Sequence, residues 1–83
     1  PLLWQTLQDC AQSLSAPEVS EAERLLTPAR DALQRAGFAV DYLELRTLSA
    51  LNLTHHVTED CALFVAARLG RTRLIDNVQI LAP

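Results

Sequence analysis

The chain contains no lysine and no methionine, and only two glycines and two cysteines among 83 residues. Without lysine, Schiff-base chemistry and the phosphate-cradling lysine of a P-loop are excluded within these residues. Cys10 and Cys61 form no C-x-x-C pair and are too few for a disulfide scaffold, so they read as small hydrophobes. No apolar run approaches the roughly 20 residues of a membrane helix, and the first residues lack the basic-then-apolar pattern of a secretory leader. Pro1 standing where an initiator methionine would be leads to the expectation of a fragment or a processed chain. Seven arginines against ten acidic residues leave a net charge of −3, which gives no electrostatic footing for nucleic acid. Four prolines and 49% hydrophobic residues do not fit disorder. One small domain over residues 1–83 is expected, too small to enclose a large active site by itself.

The apolar pattern has a period of 3.6 in the first half and 2 in the second. Leu3, Leu7, Cys10, Ala11 and Leu14 form one helical face, with Pro1 suited to the first turn and Trp4 at the edge of the core. Ser15 with Glu18, or Ser20 with Glu23, has capping-box spacing ahead of a second helix. That helix runs to about Ala36 on the apolar set Val19, Ala22, Leu25, Leu26, Ala29, Leu33 and Ala36. Pro28 predicts a kink near residues 24–27. Gly37 terminates the helix, with Arg30 and Arg35 placed near the negative end of its dipole.

From Phe38 to Arg46 the alternation predicts a strand with Phe38, Val40 and Tyr42 on one face and Ala39, Leu43 and Leu45 on the other. Apolar residues on both faces imply cover on each side or a bulge near Tyr42. Residues 47–60 read as a connector in which Leu48, Leu51 and Leu53 form a short helical turn. Cys61 to Arg68 is apolar on both faces, as a central strand is. Gly70 suits the first central position of a type II′ hairpin turn. The return strand, residues 73–80, turns Leu74, Val78 and Ile80 inward and Arg73, Asn77 and Gln79 outward, and reads as an edge. The expectation is an α+β domain: two N-terminal helices packed on a three-stranded antiparallel sheet.

Few residues suggest chemistry. His55 and His56, with Asp60 and Cys61, contain the atom types of a zinc site but match no known ligand spacing. No G-x-S-x-G nucleophile elbow and no G-x-G-x-x-G loop is present. Glu18, Glu21 and Glu23 favour the start of a helix rather than acid–base work. Asn52-Leu53-Thr54 matches a glycosylation sequon, meaningful only in a secreted chain. The densest polar group is Arg68, Arg71, Thr72, Arg73, Asp76 and Asn77. Its arginines could hold an anion, or its charges could guard a sheet edge against pairing. Asp76 shares the inward register of Leu74 and Val78, so a partner is expected for it, either Arg46 or backbone amides.

Two ordered motifs carry a resemblance. Val40-Asp41-Tyr42-Leu43-Glu44-Leu45-Arg46, followed by Leu63-Phe64-Val65-Ala66-Ala67-Arg68-Leu69-Gly70-Arg71-Thr72-Arg73-Leu74-Ile75-Asp76-Asn77, resembles the C-terminal end of the pantoate–β-alanine ligase (pantothenate synthetase) family. The resemblance implies a cytoplasmic ATP- and Mg²⁺-dependent ligase. Such an enzyme joins pantoate to β-alanine through a pantoyl-adenylate, releasing AMP and pyrophosphate, and is typically a homodimer. It further implies a Rossmann-like N-terminal nucleotide-binding domain, absent from these residues, over which this chain is a hinged C-terminal lid. The family's HIGH-like and KMSKS-like segments have no counterpart here, and His55-His56 does not match the former. No catalytic, cofactor-binding or metal-ligating residue is therefore carried over, and the isolated chain is expected to be inactive. Thr72, Arg73, Asp76 and Asn77 match family positions and are expected to hold the fold. The alternative is an independent, non-catalytic α+β binding or oligomerisation module.

Overall fold

The structure, a computed structural model, describes residues 2–15 and 21–82. The order is α1 (Leu2–Leu14), α2 (Glu23–Arg35), β1 (Ala39–Thr47), β2 (Cys61–Leu69) and β3 (Thr72–Ile80), as the change of period predicts. The three strands form one antiparallel sheet in the order β1-β2-β3, so β2 is central and β3 is an edge. Both helices lie on the same side: α1 over β3 and β2, α2 over β1.

The stripe Leu3, Leu7, Cys10, Ala11 and Leu14 is the buried face of α1. It meets Leu26 and Leu33 of α2 and the sheet residues Leu43, Leu45, Cys61, Leu63, Val65, Ala67 and Ile80 in one core. Burying each such leucine stabilises the fold by about 1.5–3 kcal/mol before chain entropy is counted. Trp4 sits at the core's rim and is 40% exposed.

The first turn of the second helix departs from expectation. Pro1, Val19 and the capping pairs that need Glu18 or Ser20 lie outside the described residues. The Ser15 hydroxyl donates to the Ala11 carbonyl, 2.8 Å away, at the end of α1. Ala22 stands at the N-cap of α2 without a side-chain cap, its N–H donating to the His55 carbonyl across 2.8 Å. Pro28 lies within α2, which continues through it to Arg35. The end is a Schellman closure. Gly37, at φ +101°, donates to the Gln34 carbonyl, and the Phe38 N–H reaches back to Leu33. Only Arg35 occupies the last turn. Arg30 sits mid-helix, where an adjacent acid and a sheet carbonyl bind it more strongly than the dipole would.

The strand β1 contains the expected bulge, and the bulge corrects its face assignment. Val40 pairs with Ala67 and Tyr42 with Ala66, leaving Asp41 as the extra residue. Beyond it the alternation inverts. Val40 therefore joins Leu43 and Leu45 toward the helices, while Ala39 and Tyr42 share the opposite face. The hairpin between β2 and β3 closes with Leu69 opposite Thr72. Gly70 has φ +61° and Arg71 is not in the positive-φ region, which fits type II′ and excludes type I′.

In the connector, the Leu51 N–H bonds to the Thr47 carbonyl, making one helical turn that closes on Leu51 at φ +56°. Leu48, Leu51 and Leu53 remain exposed. The connector folds back along β1, and Val57 rather than these leucines packs against the core. Leu53 bridges Arg46, and the Thr54 N–H donates to the Leu45 carbonyl.

Candidate functional site

The sheet's second face, turned away from the helices, has no layer upon it among the described residues. It presents Tyr42, Glu44 and Arg46 from β1, Phe64 and Arg68 from β2, and Arg73, Ile75, Asn77 and Gln79 from β3. Ala62 and Ala66 lie buried beneath these larger neighbours. Tyr42, Arg46, Leu51 and Phe64 line an open groove of about 280 Å³. Arg46 is fixed over it by a 2.6 Å bond to the Leu51 carbonyl, with Glu44 3.6 Å from its other nitrogen. Ile75, 63% exposed, continues the apolar surface toward the hairpin.

At the hairpin end, Arg68 and Arg73 stand directly opposite each other on adjacent strands. Like charges so placed repel by on the order of 1 kcal/mol. The bulge residue Asp41 lies between them, its Oδ2 accepting from Arg73 Nε at 3.1 Å and lying 3.8 Å from Arg68 Nε. Sequence reasoning missed Asp41, although a lone acid beside the bulge-prone Tyr42 was the available signal. Arg71 is exposed at the turn and enters no ion pair among the described residues.

Asp76 faces the helix side, as its register requires, and is half-buried in a groove of about 170 Å³ lined with Leu3, Trp4, Leu74 and Ile75. Of the two partners expected, the backbone amide is the one found: the Asn77 N–H donates to Asp76 Oδ1 at 2.8 Å. Arg46 is on the other face. An inward charge on an edge strand disfavours pairing with a further strand.

His55 and His56 are exposed, whereas Cys61 is fully buried and its thiol donates to the Glu59 carbonyl. The four zinc-type residues therefore do not converge, and no group of three His, Cys, Asp or Glu side chains gathers among the described residues. Burial pushes the thiols of both Cys10 and Cys61 up, helped by Asp9 and Glu59 respectively. Glu23 is taken by Arg30 in a two-pronged pair of 2.7 and 2.9 Å. The same guanidinium donates to the Leu43 carbonyl at 2.7 Å, tying α2 to β1. Its hydrogen bonds hold the Glu23 carboxyl below the usual glutamate range. Glu21 is exposed, and Glu18 lies outside the described residues. The sequon Asn52-Leu53-Thr54 is built into the connector's return along β1. No helix is long and apolar enough to cross a membrane among the described residues.

Comparison with known proteins gives one consistent likeness. The sequence model described as pantoate–β-alanine ligase matches residues 1–79. The pantothenate synthetase of Pseudomonas savastanoi pv. phaseolicola is 40% identical over 80 residues, covering 96% of this chain and 28% of the relative. That of Chromobacterium violaceum is 39% identical over 80 residues, with 96% and 28% covered. That of Psychrobacter cryohalolentis is 42% identical over 82 residues, with 93% and 28% covered. The chain thus spans little more than a quarter of the length of these relatives.

Proposed function

The chain belongs to the pantoate–β-alanine ligase family, and from that premise we propose that it serves as the C-terminal lid of a pantothenate synthetase. The whole enzyme would condense pantoate with β-alanine at the expense of ATP, through a pantoyl-adenylate, in the cytoplasm and as a homodimer. The observation that carries this reading is the match itself: nearly the whole chain is similar to pantothenate synthetases while covering 28% of each relative. The fold is compatible with it, being a two-layer body with one sheet face uncovered among the described residues.

The lid's contribution is exclusion and positioning. A mixed anhydride such as an acyl-adenylate hydrolyses if water reaches it before the amine attacks. A rigid body closing over the cleft removes that water and makes opening a step of the cycle. The rigidity comes from the single core and from Arg30, which ties α2 to β1. In this reading the ATP and Mg²⁺ chemistry belongs to a nucleotide-binding domain outside these residues.

The test is a chimera. The matching C-terminal segment of the Pseudomonas savastanoi enzyme is replaced by this chain and expressed in a pantothenate auxotroph. Growth without pantothenate is expected from the chimera, and none from this chain or the truncated enzyme alone. A soluble, folded chimera that fails to support growth would overturn the reading.

A further inference from the structure

We propose that the hairpin end of the sheet is a phosphate-binding site, in which Arg68 and Arg73 grip the phosphoryl group of a small phosphorylated molecule. The inference does not depend on the ligase reading. It begins from charge. The chain carries a net −3, yet Arg68, Arg71 and Arg73 occupy one hairpin, and Arg35 ends the helix whose closing Gly37 lies beside Leu69. Four of the seven arginines thus gather at one end of an acidic molecule.

Guarding the sheet edge accounts for only part of this. Arg73 is on the edge strand, but Arg68 is on the central strand β2, and Asp76 already supplies an inward charge on β3. Placing Arg68 opposite Arg73 works against stability, as like charges across a ladder do. The bulge then delivers Asp41 to both through their Nε atoms. Arg73 is held by a hydrogen bond along its Nε edge, whereas Arg68, 3.8 Å from the same carboxylate, is drawn toward it by charge alone. None of the Nη nitrogens of Arg68 or Arg73 makes a hydrogen bond among the described residues. Two guanidinium forks on directly opposed residues, one of them orientated by Asp41, suit a tetrahedral oxyanion with several acceptor oxygens. After Asp41 is subtracted, Arg68 and Arg73 keep one positive charge, and Arg71 at the turn raises it to two. That favours a doubly charged phosphoryl group over a single carboxylate.

The test follows the arginine Nε–Hε signals of the 83-residue chain by NMR during titration with inorganic pyrophosphate, and separately with acetate, at ionic strength held constant with sodium chloride. Saturable shifts of Arg68 and Arg73 with pyrophosphate, and far weaker ones with acetate, are expected. Asp41→Asn separates a built site from diffuse charge. Loss of the carboxylate raises the local positive charge, so a mere basic patch would bind more tightly. A site orientated by Asp41 binds about threefold more weakly, the scale of one exposed charge-assisted contact. Arg68→Gln and Arg73→Gln each weaken binding, while Arg24→Gln, at the other end of α2, leaves it unchanged. If Asp41→Asn loses its dispersed spectrum, the arginine variants decide. No saturation, equal response to acetate, equal or tighter binding by Asp41→Asn, or insensitivity to Arg68→Gln and Arg73→Gln overturns the proposal.

Discussion

Two residues set a pH signature. Glu23 is held below the ordinary glutamate range chiefly by its hydrogen bonds to Arg30, against a smaller opposing effect of burial. A carboxyl depressed in the folded state adds stability above its unfolded pKa, about 4.3 for glutamate, and loses it as pH falls through the folded value. The pair is partly exposed, with side chains 29% and 44% accessible, so its contribution is about 0.5–1 kcal/mol rather than a buried pair's worth. Glu23→Gln is therefore expected to lower urea-unfolding stability by that amount at pH 7, with the difference shrinking as pH falls through the carboxyl's folded value. A difference unchanged at pH 3 would show that the pair is not its source. The cysteines give a second expectation. Both are buried and both thiols are pushed up, chiefly by burial. In the folded chain at pH 8 neither should react with Ellman's reagent on the timescale of a free thiol. Urea should release both together, and fast labelling of either without urea would contradict the packing.

The bulge in β1 makes a prediction of its own. Deleting Asp41 restores regular alternation without moving any other partner, because Val40 stays opposite Ala67 and Tyr42 opposite Ala66. That deletion should fold, with a loss on the order of 1 kcal/mol from the unpartnered arginines. Deleting Val40 instead brings Asp41 opposite Ala67, at a half-buried position on the core side, and should lose more, on the order of 2 kcal/mol, from a carboxylate partly removed from water without a partner and the lost Val40 packing. Equal urea midpoints for the two deletions would refute the register. This element also marks how far the sequence could be read. The helices and strands followed from period, and Gly37 and Gly70 punctuated them as a Schellman end and a II′ turn demand. The bulge could be foreseen near Tyr42, but its consequence depends on which residue is extra, and that is decided by pairing with β2. Likewise Arg30 looked like a dipole residue because its true partner, the Leu43 carbonyl, is remote in sequence. The connector leucines suggested a turn, but their exposure depends on the return path along β1. At the hairpin, the arginines were visible in the sequence. Asp41, 32 residues from Arg73, became their partner only in the fold.

At the scale of the molecule, two helices cover one face of the sheet, and among the described residues the other has no layer upon it and carries Tyr42, Phe64, Leu51 and Ile75. A monomeric domain keeps such an apolar face small, and a chain that spans 28% of its relatives' length has much of the relatives' architecture outside it. The lid proposed for this chain would protect an acyl-adenylate from water. It is tested most directly by the ratio of AMP released to pantothenate formed in the purified chimera with the Pseudomonas savastanoi enzyme, at limiting β-alanine. Each adenylate attacked by the amine yields one AMP and one pantothenate, whereas each one lost to water yields AMP and returns pantoate. A ratio near one is expected for the chimera and an excess of AMP for any adenylate formed by the truncated enzyme. A folded chimera that leaks AMP would contradict it.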